Sequence, residues 1–318
     1  MSENNKCEKP FLTYEEQIKK LRDEKHLEIN DDTKAIELLK RHSYFALISG
    51  YKIPFKRKDG TYQEHVSIND IYALYNFDNE LRNIILEKIL IVEKHIKSLL
   101  SYSFCKKYGS EQSKYLDATN YNYVAKNQEG INKLISDLSE IVKNPKDYKY
   151  IQHQKRNYDN IPLWVMVKAL TMGRVSKMYS YLKPEIQTDI SKEYKCVNEN
   201  ELARMLDMLA RVRNVCAHNE RLYNYVYQKG AIEDSYVHKA INIPRKNGIY
   251  KKGKSDLFAV LICLKYLLCK EDFADLIVKI RESLSILYNN SSRITPEQMR
   301  KYMGLTDNWQ DITDIELK

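Results

Sequence analysis

From Ser67 to Lys107 the chain carries neither Gly nor Pro. Within that stretch Leu74, Phe77, Leu81, Ile84, Ile85, Ile89, Val92, Ile96 and Leu99 recur at three- and four-residue steps, the spacing of one helical face. A helix this long is stable only when its apolar stripe is covered, so it serves as the scaffold of a bundle. The remaining pattern supplies partners. Helices are expected over Tyr14–His26, Asp32–His42, Gly130–Val142, Asp147–Arg156, Glu185–Tyr194 and Asn198–Cys216. An antiparallel pair is expected at Leu257–Cys269 and Asp272–Tyr288. The run PLWVMVKALTMGRVSKMYSYL reads as one helix with Pro162 in its first turn, ending before Pro184. Asp59-Gly60 marks a turn, and 228–255 reads as a loop with little regular structure. Only 9 Gly and 7 Pro serve 318 residues, too few turn formers for a β-rich chain. The expected fold is therefore all-α. It divides into an N-terminal helical subdomain over 1–60, a helical-bundle domain over 61–290 with extra C-terminal helices, and a peripheral tail over 291–318.

Hydrophobic residues at 43% and charged residues at 30% describe a globular chain, not a disordered one. The net charge of +9 suits an anionic partner such as nucleic acid or a membrane surface. The longest apolar run, Leu257–Leu268, is broken by Lys265 and is too short to span a bilayer, so no membrane role is expected. The start, MSENNKCEKP, lacks the apolar segment of a signal peptide. Cys7, Cys105, Cys196, Cys216, Cys263 and Cys269 are scattered, with no C-x-x-C pair, which argues against zinc ligation and a disulfide framework. A reduced, cytoplasmic protein follows. His26, His42, His65, His153 and His238 lack metal-ligand neighbours, and His95 reads as structural, so no metal or cofactor is expected. Phosphate-binding loop, dinucleotide fingerprint and nucleophile-elbow motifs are all missing from the sequence.

The chemistry-bearing segment is 210–225, ARVRNVCAHNERLYNY. Arg213 supplies a permanent planar cation that can hold a phosphate bidentately. His218 can give or take a proton near neutral pH. Together they suit RNA cleavage by the ribose 2′-OH, the Arg stabilising charge on the phosphorane-like state and the His moving the proton. On an ideal helix the two lie roughly 140° apart, so one straight helix does not unite them. Either the helix ends near Ala217 or a second chain completes the site. The bland alternative is a helix-terminal His and an ion-pairing Arg.

Other segments bear on the same reading. Arg221 and Tyr225 are candidate RNA contacts, for a neighbouring phosphate and a stacked base, with a surface Arg and a core Tyr as the alternative. Asp78 and Arg82 stand at i and i+4 on the long helix; Asp78 or Glu93 is a candidate to hold Arg213 in place, with a scaffold role as the default. Lys56-Arg57-Lys58 and Lys251-Lys252-Gly253-Lys254 are either backbone contacts to RNA or solvated loop charge.

The string RNVCAHNERLYN resembles the signature of abortive-infection D/F-type (Abi-like) proteins, of the HEPN superfamily, whose ribonucleases carry an R-x4-6-H motif. Three further pieces share the resemblance in the same order: HSYFALISGYKIPF, LYNFDNELRNIILEKILIVEKHIKSLL and PLWVMVKALTMGRVSKMYSYL. The resemblance implies that Arg213 and His218 are the catalytic pair and that Asn214 positions the Arg or the substrate. It also implies metal-independent cleavage to a 2′,3′-cyclic phosphate, a site composed across a homodimer, a toxin-like role in antiviral (phage) defence, and for some members a link to small structured RNAs. The expected function is an endoribonuclease of abortive infection. The rivals are a non-catalytic protein holding a structured small RNA and a protein-interaction scaffold.

Overall fold

The computed structural model describes residues 10–228 and 230–317, and Cys7 lies outside the described residues. The fold is all-helical. Among the described residues the one regular sheet is a hairpin of two-residue strands, Arg245–Lys246 and Ile249–Tyr250. Asn247 and Gly248 turn that hairpin at φ 53° and 77°. Both central residues are left-handed, the requirement of a tight hairpin turn that Asn-Gly meets at little steric cost. A short helix, Tyr236–Ala240, precedes it, so the stretch expected as an irregular loop has structure of its own.

The chain forms two compact units. The first comprises Met1–Leu81 and Arg281–Met299. Thr13 and Glu16 form a reciprocal cap at helix Tyr14–Lys19, which continues as a wider turn through Glu24. Asp31 caps helix Asp32–His42 by accepting from Lys34 N–H. Their buried Ile18, Leu21 and Leu39 meet the demand of the helical spacing. Gly60 turns at φ 89° between the bridged residues Lys56 and Tyr62. Ser67 and Asp70 cap the long helix: Asp70 Oδ2 accepts from Ser67 N–H at 2.8 Å, and Ser67 Oγ accepts from Asp70 N–H at 3.3 Å. The other oxygen of Asp70 accepts from Ser291 Oγ at 2.6 Å, which ties the 281–299 segment to that helix start. Tyr51 donates to Asp78 at 2.7 Å within the same unit.

The long helix, Ile68–Tyr108, runs without a break as the sequence requires; at its far end Leu100, not Leu99, is fully buried. The second unit comprises Arg82–Ile280 and Arg300–Lys318. Helix Leu257–Leu267 lies at its centre, buried along all of its length, and Asp256 caps it. Helix Lys270–Asn290 follows. In the second unit Lys88, almost wholly buried, reaches Asp275 at 2.6 Å. A buried ammonium needs such a partner.

The segment 162–182 is not one helix. Pro162 precedes a single turn, Leu163–Met166, which tightens over Val167–Ala169. Leu170 is then extended (ψ 135°), and Thr171 caps a fresh helix, Met172–Tyr181, by accepting from Arg174 N–H. Leu163, Met166, Leu170, Met172 and Val175 are all buried across the break, so the apolar spacing continues where the backbone does not. Beyond Ser291, where a peripheral tail was expected, the chain forms helix Pro296–Met303 and a 3-10 turn, Trp309–Thr313. Met303, Leu305, Trp309 and Ile312 are buried there, and Lys265 donates to the Thr313 carbonyl at 3.0 Å. No helix among the described residues is long and apolar enough to cross a membrane.

Candidate active site

The Arg213–His218 segment forms the end of helix Glu199–Ala217. Its beginning is fixed by Asn198, which accepts from Glu201 N–H at 3.0 Å while the Glu201 carboxylate accepts from Asn198 N–H at 2.9 Å. Leu202, Leu206 and Leu209 are fully buried and anchor one face. The end is equally defined. His218 is the capping residue, its N–H still bonded to the Asn214 carbonyl at 2.9 Å. Asn219 adopts the left-handed conformation at φ 55°. The N–H of Glu220 then bonds back to Val215 at 3.0 Å and that of Asn219 to Cys216 at 3.3 Å. These two bonds make a Schellman stop, and Asn is one of the few side chains that tolerates its left-handed position.

The stop decides where the functional groups stand. The helix does end at Ala217, the first of the two conditions the sequence set for His218. His218 and Asn214 are exposed. Arg213 is half-buried at the margin of the apolar face, and its Nε is enclosed without a hydrogen-bond partner among the described residues. A guanidinium with an unmet buried donor favours an anion alongside it.

Two of the supporting candidates lie close to this turn in the chain or in space. Arg82, buried on the long helix, donates from Nη1 to the Glu220 carbonyl at 3.4 Å, directly on the Schellman turn. Arg221 is half-buried, immediately after it. Asp78 is fully buried and receives the Tyr51 hydroxyl. Glu93 accepts from Lys97 on its own helix at 2.6 Å, an i,i+4 pair. Tyr225 is half-buried, and burial pushes its hydroxyl up to about 12, against the pull of Arg211. No three or more His, Cys, Asp or Glu side chains among the described residues gather as a metal site.

One constellation beside the site escaped the sequence reading. Asp207 accepts from Arg211 Nε at 3.1 Å, from the Tyr227 hydroxyl, and pairs with Lys177 at 3.7 Å. Burial raises the Asp207 pKa, but the bonds from Tyr227 and Arg211 outweigh it and hold the carboxyl below its ordinary value. The i,i+4 spacing of Asp207 and Arg211 was available as a signal; Tyr227 comes from the irregular segment after the helix and was not.

Fold and site thus define an all-helical protein that presents Arg213, Asn214 and His218 at a capped helix end. The chain belongs to the Abi-like protein family, which matches residues 37–224, more than half of its length. That span contains all four segments on which the resemblance rested and ends just past the Schellman turn. No curated protein and no solved structure matches the chain.

Proposed function

We propose that the protein is a HEPN-type, metal-independent endoribonuclease acting in bacterial abortive infection. The observation that carries the reading is the helix end: a half-buried Arg213 with an unmet Nε donor, and an exposed His218 placed by the Asn219 stop. Membership of the Abi-like family supports the defence role. In the reaction the ribose 2′-oxygen attacks the adjacent phosphorus, and the P–O5′ bond breaks. The products are a 2′,3′-cyclic phosphate and a 5′-hydroxyl. The 2′-OH loses a proton and the 5′-oxygen gains one; His218 transfers it at one of these atoms. Arg213 neutralises the charge that gathers on the equatorial oxygens. Asn214, exposed one residue on, orients the phosphate or the ribose. The site is composed across a homodimer, as the resemblance to HEPN ribonucleases implies. RNA is the substrate, and a structured small RNA is a further candidate partner.

The test incubates the purified protein and its Arg213→Ala and His218→Ala variants with end-labelled RNA in the presence of EDTA. Cuts bearing cyclic-phosphate ends from the unmodified protein alone support the proposal. Salt-sensitive binding by all forms without cutting replaces it with an RNA-holding function. Neither cutting nor binding leaves a protein-interaction scaffold.

A further inference from the structure

Asp207, Arg211, Asn214 and His218 succeed one another at four, three and four residues, which places them within about 60° of one another around the helix axis. They form a single polar stripe leading to the proposed catalytic histidine. Arg213 stands off it. The stripe is organised before any ligand arrives. Asp207 holds Arg211 through Nε, and the guanidinium lies over the Tyr227 ring at 5.6 Å from its centre. Tyr227 is itself bonded to Asp207, and its N–H is bonded to the Ser255 carbonyl, so the platform under Arg211 is fixed at both ends. Lys177 reaches the same carboxylate from helix Met172–Tyr181. Two cations thus share one anion, leaving a net positive charge. Side-chain exposure is 35% for Arg211 and 57% for Lys177, so both are accessible to a polyanion.

A simple ion pair would need neither the aromatic ring nor the second cation. A guanidinium is planar in any setting; fixing it through Nε and backing it with a ring holds that planar fork in one orientation, which lowers the cost of gripping a phosphate bidentately. Seven residues of helix separate Arg211 from His218, about 10 Å of rise, so the group it would hold is not the scissile phosphate but one flanking it. We infer that Arg211, set by Asp207 and Tyr227 and assisted by Lys177, is a binding site for a backbone phosphate of single-stranded RNA flanking the cleavage point. The inference rests on the ribonuclease reading and adds a positioning subsite to it.

The test measures binding of a fluorescein-labelled, mixed-sequence single-stranded RNA to the full chain by anisotropy between 50 and 200 mM salt. His218→Ala is the reference background, so that cleavage does not intervene. Adding Arg211→Gln is expected to weaken binding about tenfold and to flatten the plot of log affinity against log salt by about 0.7, the increment for one phosphate on a single strand. Arg211→Lys should restore the slope but only part of the affinity, because the charge returns without the planar fork. Lys177→Gln, on an exposed side chain, gives a second reading should Arg211→Gln fold poorly, and should flatten the slope in the same direction. An unchanged slope and affinity in both Gln variants, with RNA still bound, overturns this subsite alone. A reference protein that binds no RNA at any salt overturns the subsite together with the ribonuclease reading.

Discussion

Two histidines twenty residues apart have opposite surroundings. His238 is fully buried. Its Nδ1 accepts from the Ser235 N–H at 3.1 Å, its Nε2 donates to the Gly253 carbonyl at 2.8 Å, and its ring stacks on Tyr250 at 4.9 Å. Every polar atom of that ring is committed to holding a loop. His218 is exposed at the end of a helix, and the bonds that fix it run through its backbone. In this chain the structural histidine is the one whose ring is used by the fold, and the candidate catalyst is the one whose ring the fold leaves to solvent. Residue type does not distinguish them; the environment does.

The largest expected effect lies at His218. His218→Ala should lower RNA cleavage at least 100-fold, the usual scale for losing a general acid–base, while the unfolding free energy stays within about 0.5 kcal/mol as for other exposed positions. Parallel assays of cleavage and of urea unfolding check this; a similar loss in both would make His218 a structural residue like His238. The mirror experiment is His238→Ala. Removing a buried ring and orphaning the Ser235 and Gly253 groups should cost about 2–4 kcal/mol, with cleavage per folded molecule retained.

The same contrast is sharpened by pH. The pKa of His238 is held below 6.5 chiefly by burial, opposed by its bond to Gly253 and aided by the nearby charges of Lys254 and Arg245. A proton on Nδ1 would also displace the Ser235 N–H from its acceptor. The folded state therefore favours neutral imidazole. Its contribution to stability is complete above pH 6.5 and is lost as the pH falls through the lower folded value. Asp256 acts in the opposite sense. Burial, against three backbone bonds and Lys252, raises its carboxyl to about 6, so its contribution is complete below 3.8 and is lost as the pH rises through 6. The two partly cancel in the unmodified protein. The difference in unfolding free energy between the unmodified protein and His238→Asn should isolate the histidine: it should shrink on going from pH 7.5 to 5. A difference independent of pH would show that His238 keeps its ordinary affinity for protons.

Periodicity made the scaffold readable. The long helix and helix Glu199–Ala217 follow from apolar spacing and from caps, Ser67 with Asp70 and Asn198 with Glu201, that lie within four residues of one another. The break at Leu170 was hidden because no Pro marks it, the nearby Gly173 falls inside the second helix, and both flanking helices bury the same kind of side chain. His238 looked featureless for another reason: its partners Gly253 and Tyr250 lie more than ten residues away in a stretch with no period. At the candidate site Arg213 and His218 could be singled out as candidates from the string, but the position of His218 depends on a single left-handed residue, Asn219, whose role appears only once the helix end is seen.

That residue gives the smallest and most discriminating test. Asn219 sits at φ 55°, a conformation that costs most L-residues roughly 1 kcal/mol and glycine almost nothing. Asn219→Gly should therefore leave stability within about 0.5 kcal/mol, and Asn219→Ala should lower it by about 1 kcal/mol. If the Schellman turn is what aims His218, the two variants should also separate in catalysis, Asn219→Gly cutting RNA near the unmodified rate and Asn219→Ala several-fold more slowly. The comparison can be set against Asn198→Ala at the other end of the same helix, which removes one cap bond and should also cost about 1 kcal/mol. Equal destabilisation at the two ends with slower cleavage only from Asn219→Ala would locate the effect in the turn that carries the histidine. Equal slowing from both would mean that the helix end has no special role and that cleavage follows the stability of the whole helix.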